Sequence, residues 1–472
     1  MSTQAPSFLE NVTYDELTIG RKASMTRTLT KEDISLFATV SGDLNPSHLD
    51  EAYAKSDMFQ GIVGHGMWSG SLISAVLGNT LPGPGTVYLE QDIKFRKQVR
   101  VDDSITITVT VREKPYGRKP AVVFDCLGTN QNGETVIEGT ATVLASVEKI
   151  RQLRPELPDV DIRRHDRYDA IIQSCKNLAP VRTAFVHPVS ADGIKACSDA
   201  VNNDLISPIL IGPRARIEAA AKEAGVDIST WEMMDVEHSH AAAVRAVELA
   251  ASEKVQAIMK GSLHTDELLS PIVAATSGLR TEMRLSHVFV MDVPTYHKLL
   301  FVTDAGVNIA PDLAGKADIC RNAINFWRAV SPEDREPKVA ILAAVETINA
   351  KMPSTLDAAA LCKMADRGQI TGGIIDGPLA FDNAISKKAA AEKGIVSKVA
   401  GDPDILVVPG IESGNILVKQ LSFLSHADGA GIVLGARVPI ILNSRADSVR
   451  AKLLSCAMAT LLVDARRKGK VK

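Results

Sequence analysis

Between residues 80 and 147 apolar and polar positions alternate with the two-residue period of half-buried strands. The segments TVYLEQDIKF, RVDDSITITVTVREK and KPAVVFDCLGTNQNGETVIEGTATVLASV carry the period, with glycines and Asn132-Gly133 at the reversals, which predicts an antiparallel meander. Upstream the period becomes helical. KEDISLFATVSGD follows Thr30, with Asp33 three places on as a variant of the capping box, and MWSGSLISAVLGNT is apolar over the length of a helix. One long apolar helix against a curved antiparallel sheet is the hot-dog pattern, so residues 1–147 are expected to form an α+β hot-dog domain.

Residues 148–164, EKIRQLRPELPDVDIRR, are charged, hold two prolines and show no core-facing period, which predicts a linker. From residue 165 the rhythm is strand, Gly or Pro turn, helix. It runs through RTAFVHPVSADGIKACSDAVNN, SPILIGPRARIEAAAKEAG and KVQAIMKGSLHTDELLSPIV, and returns in DILVVPGIESGNILVKQLSFL and GIVLGARVPIILNSRADSVRAKLL. Short apolar strands alternating with amphipathic helices predict a doubly wound α/β domain on a parallel sheet. Residues 165–472 exceed one comfortable core, so two lobes are expected.

Composition narrows the function classes. The 53 basic and 56 acidic residues are mixed along the whole chain and leave a net charge of -3, so no field favours nucleic acid or an anionic membrane. The start lacks a basic segment followed by an apolar run, and no stretch reaches the length of a membrane helix, which predicts a cytoplasmic protein. The six cysteines show neither Cys-x-x-Cys nor metal-ligand spacing and read as buried free thiols.

The first candidate chemistry lies in SGDLNPSHLDEAYAKSDMFQGIVGHGM. Asp43 and His48 follow a helix, and Asn45-Pro46 forces a turn between them. A carboxylate and an imidazole aimed at one spot can divide acid and base work, one drawing a proton from water and the other supplying one to carbon. Alone, such a D-x-x-x-x-H reads more often as a helix cap and a satisfied loop histidine. The surrounding FATVSGDLNPSHLDEAYA and GIVGHGMWSGSLIS, however, resemble the signature of MaoC-like (R)-specific enoyl-CoA hydratases over residues from about 13 to 147. The resemblance implies that Asp43 and His48 activate water for syn addition to a trans-2-enoyl-CoA. It implies also that the amide of Gly66 holds the thioester oxygen, that Asn45 belongs to the site, and that His65 shapes the loop rather than reacting. Trp68 stands where the family often has a smaller apolar residue, which would reshape an acyl tunnel.

In the second half, VPIILNSRADSVRAKLL runs a strand through Asn443-Ser444-Arg445 into a helix. Unpaired amides at a helix start favour an anion; Arg445 offers a bidentate grip on phosphate and Ser444 a donor to a developing oxyanion. A simple N-cap and a surface charge remain equal readings of the pair. PILIGPRARI, KGSLHTDELLSPIV, GGIIDGPLAFDNAIS, HADGAGIVLGARVPI and NSRADS, in that order, resemble the phosphate acetyl/butyryltransferase family. That implies Ser444 and Arg445 as catalytic residues, with Asp447 as the nearest aspartate to serve as base toward the CoA thiol, although the acetyl-branch position falls near Arg450 or Ala451. Ser270 replaces an arginine of the acetyl-type phosphate grip. Lys260, Asp376, Asp382 and Asn383 are expected at a lobe interface, while Asp376-Gly377-Pro378 reads equally as a tight turn. AVETINAKMPSTLDAAALCKMADRGQ and DGPLAFDNAIS look closer to the butyryl branch, which suggests an acyl group longer than acetyl. The family's fold implies that lobe 1 spans about 165–290 plus 444–472, and lobe 2 about 291–443.

Both halves thus point to acyl-CoA. The expected protein is a bifunctional hydratase and phosphotransacylase, a homo-oligomer of at least a dimer, acting on coenzyme A thioesters and inorganic phosphate with no permanently bound cofactor or metal. The alternative is a hydratase whose second half only senses acyl-CoA and assembles the protein.

Overall fold

In the computed structural model, which describes residues 8–115, 117, 120–158, 160, 162, 166–443 and 447–471, the chain divides into two units, Met1–Ile162 and Arg163–Lys472. The first unit runs β1 (Phe8–Glu10), β2 (Lys22–Thr28), α1 (Lys31–Ser41), α2 (Pro46–Leu49), α3 (Glu51–Ser56), α4 (Gly66–Asn79), β3 (Val87–Phe95), β4 (Ser104–Glu113), β5 (Ala121–Thr129), β6 (Thr135–Leu144) and β7 (Arg151–Leu153). Among the described residues, five of these strands form an antiparallel sheet in the order β2-β4-β5-β6-β3. The alternation becomes burial: Ile105, Ile107, Val109 and Val111 of β4 point inward, where they meet Trp68, Leu72, Ile73, Val76 and Leu77 of α4. A sheet wrapped on one apolar helix is the hot-dog arrangement. Its edge strand β3 leaves most of its side chains exposed.

Part of the expected linker belongs to this unit. β7 pairs antiparallel with β1, and Ile150 N donates to Asn11 Oδ1 at 2.8 Å. The pairing escaped the sequence because both strands are three residues long and mostly exposed, so no apolar period marks them.

The second unit runs α5 (Asp166–Ser174), β8 (Val181–Val186), α6 (Ala191–Asn202), β9 (Ile206–Gly212), α7 (Arg214–Ala224), β10 (Glu232–Asp235), α8 (Ser239–Ala251), β11 (Ala257–Lys260), α9 (Thr265–Val273), β12 (Ser286–Asp292) and β13 (Leu300–Thr303). It continues with α10 (Leu313–Val330), β14 (Lys338–Leu342), α11 (Pro353–Asp366), β15 (Ile374–Leu379), α12 (Phe381–Ile385), α13 (Lys387–Glu392), β16 (Ile405–Val407), α14 (Ile411–Phe423), β17 (Asp428–Leu434), β18 (Ile440–Ile441) and α15 (Val449–Arg467). Its strands, as described, make one eleven-stranded sheet, ordered β10-β9-β8-β11-β18-β17-β12-β13-β16-β14-β15.

That sheet is mixed where a parallel one was expected. β12 runs antiparallel to both β13 and β17, and β17 antiparallel to β18. The β12–β13 and β17–β18 connections are too short for a helical crossover, so these pairs must reverse direction. One apolar cluster extends from Tyr168 and Phe185 through Val339 and Ile405 to Leu462 of α15. The segments 165–290 plus 444–472 and 291–443 therefore share a continuous sheet, in which β11 pairs parallel with β18.

Candidate active sites

In the first unit the local chemistry of the turn sets the site. α1 carries the expected capping box between Thr30 and Asp33 and ends at Gly42, whose φ of 74° is left-handed and open to glycine without strain. Asp43 follows at once, exposed, with Oδ1 accepting from the Asn45 amide at 3.2 Å. Asn45 in turn caps α2, accepting from Ser47 N at 3.1 Å, and Pro46 takes the first helical position. His48 ends this short helix. Its Nδ1 lies 2.7 Å from the Val63 carbonyl oxygen; a carbonyl only accepts, so Nδ1 carries the hydrogen and Nε2 keeps its lone pair.

His65 is held the other way round. Its Nε2 donates to the Asp43 carbonyl at 3.1 Å, leaving a buried Nδ1 without a hydrogen-bond partner. Burial pulls its pKa below the ordinary value and outweighs the hydrogen bond to the Asp43 carbonyl that raises it, while the charge of His48, at a ring separation of 3.9 Å, adds to the lowering. A neutral His65 thus fastens the backbone of Asp43. Donor atoms of Asp43, His48 and His65 all lie within 4.8 Å of one another.

His48 and His65 border a cavity of about 830 Å³, lined also by Asn45, Gly66, Ser69 and Phe95 among others, and Asp43 reaches this edge through its closeness to the two imidazoles. Gly66 is the first residue of α4, whose start has no side-chain cap, so its leading amides are available to an acceptor. A Cβ at Gly66 would stand 3.3 Å from the Phe95 ring, which makes glycine the residue that lets a ligand reach the main chain. The structure therefore brings Asp43, Asn45, His48, His65 and Gly66 together. Trp68 packs in the core with Leu72 and Ile73.

In the second unit a cavity of about 750 Å³ opens at the ends of β11 and β18, lined by Lys260, His287, Asn415, Asp428, Asn443 and Asp447 among others. Lys260 and Asp447 thus share one wall system. Ser444 and Arg445 lie outside the described residues, between Asn443 and Asp447. The helix that follows is capped by Ser448, which accepts from Ala451 N at 3.1 Å, so the N-cap of α15 lies beyond the Ser-Arg pair.

Asp376, Asp382 and Asn383 do not join Lys260. Asp376 lies on the outermost strand and accepts from the Gly377 amide at 2.9 Å. Asp382 pairs with Lys393 at 3.1 Å, and the buried Asn383 donates to Glu346 at 3.1 Å. β15 is seven places from β11 in the sheet order, roughly 30 Å at about 4.8 Å per strand, too far for these side chains to meet.

The sequence reading missed His287. It is buried in the cavity wall between Gly306 and Gly431, where an added Cβ would stand 2.4 and 2.6 Å from its ring nitrogens. Burial pushes its pKa down to about 4 against the pull of Asp304, so it presents a neutral imidazole at pH 7. The signal was a histidine inside the apolar strand SHVFVMD.

Comparison with known proteins follows the same division. Residues 237–460 match the family model described as Phosphate acetyl/butaryl transferase, and residues 16–131 match the MaoC like domain. The chain is 54% identical over 305 residues to a phosphate acetyltransferase of Rhizobium meliloti, covering 65% of this chain and 96% of that protein. It is 39% identical over 295 residues to a phosphate butyryltransferase of Clostridium acetobutylicum, covering 62% and 97%. A branched-chain phosphotransacylase structure from Enterococcus faecalis V583 superposes with a TM-score of 0.53 at 29% identity, covering 60% of this chain and 99% of that one.

Proposed function

The chain belongs to the phosphate acetyl/butyryl transferase family, and on that premise we propose a bifunctional acyl-CoA enzyme. The second unit exchanges a short acyl group between coenzyme A and inorganic phosphate. The first hydrates trans-2-enoyl-CoA to (R)-3-hydroxyacyl-CoA. The observation that carries the hydratase is the tautomer of His48: with Nδ1–H spent on Val63, its Nε2 keeps a lone pair, and this imidazole, close to the Asp43 carboxylate, borders the cavity that the uncapped start of α4 also borders.

In the hydration, water oxygen bonds C3 of the enoyl group while one member of the Asp43–His48 pair takes its proton and the other returns a proton to C2. Charge that develops on the thioester oxygen is met by the Gly66 amide. In the transfer, a phosphate oxygen attacks the thioester carbon, the C–S bond breaks, and the proton lost by phosphate ends on the thiol. Asp447 handles that proton, Ser444 steadies the oxyanion and Arg445 grips phosphate. Every step falls to side chains and main-chain amides, so the scheme calls for no resident cofactor.

The acyl group we favour is acetyl ahead of butyryl. This reverses the expectation from individual segments, because identity is 54% to a protein named for acetyl and 39% to one named for butyryl. A sensing role for the second unit has less support than transfer, since the likeness spans 96% of an acetyltransferase. A cytoplasmic location suits six unpaired cysteines; among the described residues no helix is long and apolar enough to cross a membrane. Hydration is tested by following loss of the enoyl absorbance of crotonyl-CoA and the configuration of the product. An (R)-3-hydroxy product supports the reading; no hydration removes it.

We propose also that the first unit pairs with a second copy through β3. This nine-residue edge strand exposes Val87, Leu89 and Phe95 at 52%, 51% and 51%, an apolar edge that single soluble domains avoid. Leu89→Arg is expected to yield a smaller assembly than the parent in sedimentation of the full chain; an unchanged assembly contradicts the pairing.

A further inference from the structure

We propose that Lys452 binds inorganic phosphate in a small chamber joined to the transfer cavity, an inference that rests on the transferase reading above. The chamber holds about 220 Å³ and is lined by Ser190, Gly193, Lys260, Gly261, Asn443 and Lys452 among others. Lys260 and Asn443 also line the larger cavity of about 750 Å³, so the two spaces share a wall. A volume below the roughly 300 Å³ at which drug-sized pockets begin excludes a nucleotide and leaves room for a tetrahedral anion with water.

Three features of the chamber fit a phosphate. Lys452, in the first turn of α15, is 9% exposed, and among the described residues its ammonium has neither an ion-pair nor a hydrogen-bond partner. A lysine whose stem is largely buried and whose ammonium, at the chamber, has no counter-charge loses part of its solvation, and its position near a helix start is electrostatically adverse. An anion in the chamber would relieve both penalties. Asn443, 7% exposed, spends its Nδ2 on Ser455 Oγ at 3.0 Å, while its Oδ1 has no partner. An acceptor there suits the P–OH of hydrogen phosphate. Lastly, the twelve-residue helix α6 begins at the chamber wall, and its Ser190 cap accepts only from Gly193 N, which leaves earlier amides for an acceptor. Asp192 also lines the chamber; its residue is exposed, where solvent screens its opposing charge.

The phosphoryl group bound here could belong to orthophosphate or to coenzyme A, and steady-state kinetics on the full chain separates the two. Lys452→Met keeps the apolar stem and removes the charge. With acetyl-CoA and butyryl-CoA as acyl donors, its KM for phosphate is expected to rise roughly 10- to 100-fold, the loss of a hydrogen bond to a charged group. KM for acyl-CoA should stay unchanged, and Lys452→Arg should recover part of the loss. Thermal melting gives a readout independent of turnover: millimolar phosphate should raise the transition of the parent and leave that of Lys452→Met in place. An unchanged KM for phosphate, or a rise confined to acyl-CoA, overturns the assignment. If the parent forms no acyl phosphate, the transferase reading fails by itself and melting alone judges the chamber. Equal phosphate shifts in parent and variant, or none in either, then overturn it.

Discussion

Asp43→Asn and His48→Ala are each expected to lower kcat for crotonyl-CoA hydration by roughly 10²- to 10⁴-fold, the range general acid–base groups contribute. The reason is geometric. His48 offers one lone pair, at Nε2, because Nδ1–H is committed to the Val63 carbonyl at 2.7 Å. Asp43 is anchored through its backbone, its carbonyl accepting from His65 Nε2 at 3.1 Å, so its carboxylate is left for chemistry. Asn in place of Asp43 keeps an oxygen for the Asn45 amide at 3.2 Å and should preserve the turn while removing the charge. His48→Ala orphans the Val63 carbonyl at a cost of about 1–3 kcal/mol, which the core of α4 and the sheet can absorb. Matching circular dichroism and melting for both variants would assign the loss to chemistry. Turnover near that of the parent in either variant would contradict the division of proton transfers.

The largest effect on stability is expected at Asp404. The side chain is 1% exposed and accepts from Arg335 Nη1 and Nη2 at 2.7 and 2.8 Å, from Lys298 Nζ at 2.8 Å, and from the Lys338 amide at 2.7 Å. Asp404 precedes β16, Lys298 lies just before β13 and Lys338 opens β14, so a single carboxylate ties the starts of three neighbouring strands. Asp404→Ala leaves the Lys338 amide without its acceptor and takes one of two carboxylates from each cation, since Lys298 keeps Asp402 and Arg335 keeps Glu333; breaking a buried ion pair costs at most about 3–5 kcal/mol, and these remaining partners put the expected loss at the lower end, about 2–3 kcal/mol. Burial alone would raise this carboxyl's pKa, but the bonds from Arg335 and Lys298 prevail and hold it below the ordinary value. A depressed folded pKa means stability that is present above the unfolded value of about 3.9 and lost as pH falls through the folded one. Acid should therefore loosen the second unit, and Asp404→Asn should flatten that dependence. Denaturant titration at neutral pH and at about pH 3 measures both. A loss under about 1 kcal/mol for Asp404→Ala at neutral pH would contradict the role given to the cluster, since surface pairs account for that much.

Much of the first site was legible because its determinants are local. Gly42, Asn45 and Pro46 fix the turn by short-range sterics and capping, and the same residues stand together in the sequence. Strand period likewise announced the β4–β6 meander, and the helix period announced α1 and α4. What stayed hidden depends on the third dimension. Direction of pairing in the mixed sheet is not encoded by apolar runs, which read alike in parallel and antiparallel strands. Asp376 and Lys260 are both expected at a lobe interface, yet strand order puts them at one edge and near the middle of one sheet. His287 and Lys452 lie in stretches whose pattern reads as core, and only their burial beside a cavity sets them apart.

If one chain performs two acyl-CoA reactions, the second of them decides the matter. Purified full-length protein is given acetyl-CoA or butyryl-CoA, with and without phosphate, while free thiol and acyl phosphate are followed together. A bifunctional enzyme should show phosphate-dependent thiol release matched by acyl phosphate, abolished in Ser444→Ala and Arg445→Ala, in a preparation that also hydrates crotonyl-CoA. Hydration without any phosphate-dependent release from either thioester would contradict it.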